Sequence, residues 1–157
     1  MTAAALAGVR GRLVPYVYGD ASFARLARRA GLALPAVDPG EPLPAGGALV
    51  RVTRLAGADV RPGRPSRRGG AAQLACLEAA FGAPGAGEAE ALCTAPVSKA
   101  QVQRLLPGFV GHTEWLEERA GGARSVMMLA GRRLRVALVT THVSLRGALR
   151  ALRAERV

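Results

Sequence analysis

Apolar residues along the chain form short runs separated by amphipathic or glycine-rich stretches. Residues 13–18 are an apolar run that ends at Gly19 and Asp20, which predicts a buried strand followed by a turn. Residues 48–55 alternate apolar and polar side chains, which predicts a half-exposed strand. Three further buried strands are predicted from apolar runs at 89–94, 125–130 and 134–140.

Helices are predicted between these strands. Asp20 is a candidate cap for a helix with Phe23, Leu26, Ala27 and Ala30 on one face, and Gly31 is expected to end it. The other predicted helices span 69–81, Ser98 through Leu106, Thr113 to about Ala120, and Ser144 to the last residue, with Leu145, Leu149 and Leu152 on one face of the last one. Loops are predicted at 35–47, 57–68 and 82–87. Strands that alternate with helices predict an α/β fold with a largely parallel sheet.

Three polar clusters follow predicted strand ends or turns, at 94–99, 111–114 and 140–142. In parallel α/β sheets, ligands bind beyond the carboxyl ends of the strands. These clusters are therefore the candidate functional site.

His112 and His142 are the chain's two histidines. His112 stands just before a predicted helix start, where free backbone N–H groups favour a phosphate or carboxylate, and the Thr113 hydroxyl adds a donor. The alternative is that Thr113 only caps the helix. His142 follows an apolar strand and could ligate Zn²⁺ or Mn²⁺, or else be a core histidine bonded to backbone. Because no histidine or carboxylate partner is suitably spaced nearby, further ligands would come from distant residues or another chain.

Lys99 is the only lysine among 22 basic residues. Its compact ammonium could contact a phosphate or lower the pKa of a hydroxyl, and the alternative is a solvated helix lysine. Cys76 and Cys93 lie in apolar contexts and are predicted as two buried thiols. The alternatives, a disulfide or a two-cysteine metal site, are disfavoured because no CxxC spacing exists. Trp115, Met127 and Met128 are predicted core residues.

The formal net charge of +11 raises the possibility of nucleic-acid binding. The charge is scattered arginine, however, and the chain has only six aromatic side chains for base stacking, which argues against a single-strand binder. No apolar run reaches the roughly 18 residues of a membrane span, and no signal peptide is recognised, so a cytoplasmic protein is expected. The last predicted helix reaches the final residue without a stop signal, and the first strand comes early, so both ends are expected to be truncated.

Four segments carry a resemblance to a known family: Thr-Ala-Pro-Val-Ser-Lys at 94–99, Gly-Phe-Val-Gly-His-Thr-Glu-Trp-Leu-Glu-Glu-Arg at 108–119, Val-Met-Met-Leu-Ala at 126–130, and Leu-Arg-Val-Ala-Leu-Val-Thr-Thr-His-Val-Ser-Leu-Arg at 134–146. In this order they resemble the 4-hydroxythreonine-4-phosphate dehydrogenase family of vitamin B6 biosynthesis. A weaker likeness extends through residues 17–20 and 69–72.

The resemblance implies a two-domain α/β fold shared with isocitrate and isopropylmalate dehydrogenases, and homodimers with active sites in interdomain clefts. It implies oxidation of 4-(phosphooxy)-L-threonine with NAD(P)⁺, followed by loss of CO₂, with a divalent metal (Zn, Mg, Co or Mn) as Lewis acid. By motif, His112 and Thr113 are expected to bind substrate and His142 to ligate the metal. Lys99 is a candidate catalytic residue, and no residue is assigned to the cofactor.

Parts of the family pattern are missing. Its glycine- and proline-rich opening segment is absent, and two further metal-binding histidines and most of the cofactor site lie beyond the equivalent of Val157. Residues 1–157 are therefore expected to be an incomplete N-terminal and central portion of a two-domain dehydrogenase, inactive alone. The alternatives are a related dehydrogenase of phosphorylated threonate or erythronate, and a non-catalytic protein that binds a phosphorylated ligand.

Overall fold

The structure, a computed structural model, describes residues 2–9, 11–122 and 125–154. The chain forms two compact units, Met1–His112 and Thr113–Val157. The last helix ends at Ala151, so its predicted continuation to the last residue is wrong from residue 152, and residues 155–157 lie outside the described residues.

The first unit contains the parallel sheet. Its elements are α1 (Thr2–Gly8), β1 (Tyr16–Asp20), α2 (Phe23–Arg29), β2 (Ala36–Val37), β3 (Ala48–Thr53), α3 (Arg67–Gly85) and α4 (Lys99–Gln103). The strand order is β1-β3-β2 with both pairings parallel, and α3 packs against β1 and β3. The predicted α/β fold with a parallel sheet is confirmed for this unit.

The central strand, β3, differs from its prediction. Ala48, Leu49 and Val50 are all buried, although the alternation of apolar and polar residues over 48–55 predicted a half-exposed strand. β3 has a hydrogen-bonded neighbour on each side, and its first three residues lie in the interior, where strands carry continuous apolar runs. One neighbour, β2, lies inside the segment predicted as loop, so that prediction is wrong at two residues.

Of the two end signals predicted for α2, the helix that follows β1, one is confirmed and one is wrong. Gly31 takes a φ of 75°, and the Leu32 N–H donates to the Ala27 carbonyl at 2.9 Å, so the predicted glycine stop is confirmed. Asp20 does not cap α2, because Ser22 occupies the N-cap position. Asp20 is instead the last residue of β1.

α3 is longer than predicted at both ends. It begins after Ser66, whose hydroxyl accepts a hydrogen bond from the Gly69 N–H at 2.9 Å, and it continues to Gly85 through the predicted break at 82–87. Pro84 lies in its last turn, where the missing N–H removes only one intrahelical bond.

The second unit contains most of α5 (His112–Arg119), with β4 (Met128–Ala130), β5 (Arg135–Ala137) and α6 (Leu145–Ala151). β4 and β5 pair antiparallel, so the sheet is not parallel here. Their residues are exposed, which contradicts the predicted buried strands. The predicted cap of α6 is confirmed, because the Ser144 hydroxyl accepts from the Gly147 N–H at 3.2 Å.

Other burial predictions have mixed outcomes. Trp115 is buried as predicted, but Met127 and Met128 are exposed. Cys76 is half-buried and Cys93 is exposed, so the expectation of two buried thiols is wrong, and neither forms a disulfide. The strand predicted at 89–94 is absent, because no described strand lies alongside to share hydrogen bonds with it. No helix of the described chain is long and apolar enough to cross a membrane.

Candidate functional site

Lys99 is the first residue of α4, and α3 fixes that helix in two ways. A side-chain oxygen of Gln73 on α3 accepts a hydrogen bond from the Ser98 N–H at 2.8 Å. Gly70 on α3 lies so close to α4 that a β-carbon at position 70 would come within 2.7 Å of the Gln101 Cβ. This close approach requires glycine at position 70, and it holds the start of α4 against α3.

His112 is held at the far end of the segment that follows α4. The Gln103 side-chain amide donates to the Phe109 carbonyl at 3.0 Å, which ties this segment back to α4. The buried Phe109 ring contacts the His112 ring edge-to-face, with 6.3 Å between centroids. The two contacts orient the imidazole ring, and neither of them is a hydrogen bond to a ring nitrogen.

Lys99 and His112 lie close enough to interact electrostatically. Partial burial lowers the pKa of His112, and the positive charge of Lys99 lowers that pKa further. The imidazole is therefore neutral at pH 7, with one nitrogen able to donate and the other to accept. An exposed ammonium beside a half-buried imidazole is suited to an anionic group such as a phosphate.

Thr113 and Glu114 follow in the first turn of α5. His112 is itself the first helical residue, which corrects the prediction that it precedes the helix. Thr113 is exposed, so its hydroxyl is accessible to a ligand. The buried Trp115 anchors the helix, and the Arg119 guanidinium lies 4.9 Å from the centroid of its ring.

His142 lies in the second unit and is exposed, so it is neither a core histidine nor the end of a buried strand. It adopts a φ of 55°, which is uncommon for a residue other than glycine and costs of the order of 1 kcal/mol. β5 ends five residues before it. Among the described residues, no three His, Cys, Asp or Glu side chains are grouped to hold a metal ion. The residues present therefore do not fit a divalent metal on their own.

The carboxyl edge of the parallel sheet carries a polar cluster that differs from the three predicted ones. Asp20 at the end of β1 accepts hydrogen bonds from the Leu55 N–H at 2.7 Å, the Thr53 hydroxyl at 2.9 Å and the Ser22 N–H at 2.9 Å. In the sequence this carboxylate follows an apolar run, a pattern that predicts a helix cap rather than a link between strands. The cluster is a clamp between β1 and the end of β3.

Cys76 on α3 adjoins this clamp. Burial raises the pKa of its thiol to about 11, with a further contribution from the charge of Asp20, although a hydrogen bond with Thr53 opposes the shift. The sulfur is therefore protonated at neutral pH and is a poor nucleophile. Among the candidate site residues predicted from the sequence, Lys99 and His112 lie close together in the first unit.

Comparisons with known proteins identify the family of the chain. The family model described as "Pyridoxal phosphate biosynthetic protein PdxA" matches residues 12–157. The chain is 46% identical over 105 residues to a 4-hydroxythreonine-4-phosphate dehydrogenase of Chromobacterium violaceum, which covers 67% of this chain and 32% of that relative. It is 43% identical over 134 residues to the enzyme of the same name from Aromatoleum aromaticum, with 85% and 40% coverage.

A solved structure of a protein with the same name resembles this chain in fold. The crystal structure of a 4-hydroxythreonine-4-phosphate dehydrogenase from Burkholderia phymatum aligns with a TM-score of 0.71 and 25% identity, covering 99% of this chain and 48% of that one. The chain thus spans less than half the length of these relatives. The resemblance seen in the motifs and the dehydrogenase-like α/β fold are confirmed. The chain belongs to the PdxA family of pyridoxal phosphate biosynthetic proteins.

Proposed function

We propose that this chain provides the substrate-phosphate-binding part of a dehydrogenase that acts on 4-(phosphooxy)-L-threonine. The reaction oxidises the secondary alcohol to 2-amino-3-oxo-4-(phosphooxy)butanoate, which loses CO₂ to yield 3-amino-2-oxopropyl phosphate. The observation that supports this proposal is the juxtaposition of Lys99 and His112 at the start of two helices. Lys99 supplies positive charge to the substrate, and His112 and the Thr113 hydroxyl supply hydrogen-bond donors.

The proposal also covers the cofactor, the metal, the oligomeric state and the cellular location of the enzyme. NAD(P)⁺ accepts the hydride, a divalent ion (Zn, Mg, Co or Mn) is bound with His142 as one ligand, and the enzyme is a cytoplasmic homodimer. Residues 1–157 form an incomplete portion of the two-domain enzyme. Because the described residues do not assemble three metal ligands, metal and cofactor sites need residues from elsewhere, and the isolated chain is expected to be inactive.

Replacing Lys99 or His112 with alanine is expected to weaken binding of 4-(phosphooxy)-L-threonine about tenfold each, since each change removes roughly one charge-assisted hydrogen bond. Isothermal titration calorimetry on the isolated chain measures this. Arg64→Ala is the control, because it also removes one exposed positive charge in the first unit. Absence of binding by the unchanged chain, or an equal loss in the control, would contradict the proposal.

Binding of the phosphorylated ligand is also expected to take up protons as pH falls below the ordinary pKa of histidine. Burial and Lys99 lower the pKa of free His112, and a bound anion raises it again, so affinity gains a contribution as pH falls. Titrations in two buffers of different ionisation enthalpy measure this uptake. The difference between the unchanged chain and His112→Gln isolates the imidazole from the ligand's own phosphate, and identical uptake by both would disprove its role.

A further inference from the structure

A cavity of about 280 Å³ lies between α2 and the edge of the parallel sheet. We call it the α2 cavity. It is lined by Ala24, Ala27 and Arg28 of α2, by residues 33–35 of the following connection, by Ala36 of β2 and by Leu49 of β3. All of these residues belong to the first unit, and none of them lies in the segments around Lys99 and His112. The α2 cavity therefore shares no residue with the candidate phosphate site.

The α2 cavity is open because small side chains line it. Four of its lining residues are alanines and one is a proline, and methyl groups leave space between a helix and a strand that longer side chains would fill. Leu49 is 1% exposed and Ala27 is 3% exposed, so the inner wall is buried and apolar. Well-packed interiors have few voids larger than a water molecule. This space equals about nine water molecules of roughly 30 Å³ each, which is room for about nine non-hydrogen atoms.

One charged side chain lines this apolar space. Arg28 forms no ion pair with a carboxylate in the described part of the chain. Arg25 and Arg29 are also exposed on α2, and the helix contains no acidic residue, so α2 contributes only positive charge here. A guanidinium presents paired N–H donors that match a carboxylate in a bidentate geometry. An anionic group is therefore favoured beside Arg28, and a cationic group is disfavoured.

The edge strand adds backbone hydrogen-bonding groups. Ala36 of β2 is the partner of Leu49 on β3, and the Leu49 N–H donates to the Pro35 carbonyl at 2.8 Å. In a parallel pair, the residue between two bonded neighbours directs its own N–H and C=O away from the partner strand. The Ala36 N–H and C=O therefore lie on the free edge of the sheet, beside the cavity that Ala36 lines. This edge offers a polar occupant one hydrogen-bond donor and one acceptor.

We propose that the α2 cavity binds a short-chain aliphatic monocarboxylate. The tail of the ligand occupies the space beside Ala27 and Leu49, and its carboxylate pairs with Arg28. An aliphatic tail fits because the lining contains no aromatic side chain, and a single carboxylate matches the single guanidinium of the lining. Room for about nine non-hydrogen atoms accommodates a carboxylate of about seven carbons. The inference does not depend on which substrate Lys99 and His112 bind.

Titration of the isotope-labelled full chain with heptanoate, followed in amide NMR spectra, tests the proposal. We expect saturable shifts at the amides of the cavity lining, above all at Ala36, with a Kd of about 1 mM for a ligand of this size. Heptylammonium has the same tail and the opposite charge. Its binding is expected to be at least about tenfold weaker, because it meets arginine instead of a carboxylate.

Matched variants make the result specific. Arg28→Gln is expected to weaken heptanoate binding about fivefold, because it removes the charge that pairs with the carboxylate. Arg29→Gln removes an exposed charge from the same helix outside the lining, so its Kd should stay within about twofold of the unchanged chain. Ala24→Leu and Ala36→Leu fill the cavity from two different elements, and each is expected to weaken binding at least about tenfold. Circular dichroism checks that both filled variants fold, and a folding defect in one leaves the other to decide.

Several results would overturn the proposal. They are the absence of saturable shifts, shifts confined to the exposed apolar residues of 126–152, equal affinity for heptylammonium, and undiminished binding by the filled variants. Because the cavity lining includes neither Lys99 nor His112, calorimetry with the phosphorylated ligand succeeds or fails independently of these results.

Discussion

Replacing Asp20 with alanine is expected to lower the free energy of unfolding of the first unit by about 3 kcal/mol. The carboxylate accepts hydrogen bonds from two backbone N–H groups, of Ser22 and Leu55, and from the Thr53 hydroxyl. It thereby joins the end of β1 to the residues at and after the end of β3. Alanine leaves these donors partly buried and unpaired. Urea denaturation followed by far-ultraviolet circular dichroism measures the loss.

The same carboxylate predicts a dependence of stability on pH. Burial by itself would raise the pKa of Asp20, but the hydrogen bonds from Ser22, Leu55 and Thr53 outweigh burial and lower it. A carboxylate whose pKa is lower in the folded state contributes stability above its unfolded pKa of about 3.9, and that contribution is lost as pH falls through the folded pKa.

Asp20→Asn should therefore lose less stability than the unchanged chain when pH is lowered from about 5 to 3. Glu90→Gln is the control, since Glu90 is exposed and removing its charge leaves the clamp intact. An Asp20→Asn chain with the same pH profile as the unchanged chain would contradict this account of the clamp.

Replacing Gly70 with alanine is expected to lower the free energy of unfolding of the first unit by about 2 kcal/mol. The new β-carbon would lie 2.7 Å from the Gln101 Cβ and 2.9 Å from its carbonyl carbon. Backbone is among the opposing atoms, so α3 and α4 must separate rather than one side chain rotate. Since α4 begins at Lys99, binding of the phosphorylated ligand should weaken together with stability.

Gly82 provides a matched control on the same helix. No atom beyond its chain neighbours and the helix's own nearby backbone lies within 4 Å of a β-carbon at position 82. Gly82→Ala is therefore expected to leave stability unchanged or raise it by up to about 1 kcal/mol, because alanine has the higher helix propensity. Thermal denaturation of both variants distinguishes a steric effect at position 70 from a general effect of losing glycine. Equal behaviour of the two variants would contradict the steric explanation.

Some elements of the fold were predictable because their signals are local. Gly31 ends α2 by adopting a positive φ, and Ser144 caps α6 through a hydroxyl three residues from its donor. Each needs only the residues within one helical turn. The segment at 89–94 has an equally apolar sequence but no strand, because a strand also needs a hydrogen-bonded neighbour that the local sequence does not specify.

The candidate site divides in the same way. The motif at 111–114 and the single Lys99 predicted an anion-binding site, and the structure of the first unit places Lys99 close enough to His112 to act on its charge. The Gly70 contact and the Gln73 hydrogen bond that position α4 were not predictable, since they join residues 25 to 31 positions apart. His142 was wrongly expected at the end of a buried strand, and its role as a metal ligand stays a prediction.

The sequence by itself determined the family, the α/β class, the Gly31 stop of α2, the Ser144 cap of α6, and the residue types at the candidate phosphate site. Tertiary structure decided which apolar runs are buried, the pairing of β2 with β3, the antiparallel hairpin, and the Asp20 clamp. The physical reason is that caps and turns are satisfied within a few residues, whereas burial and strand pairing depend on what the rest of the polypeptide places beside each segment.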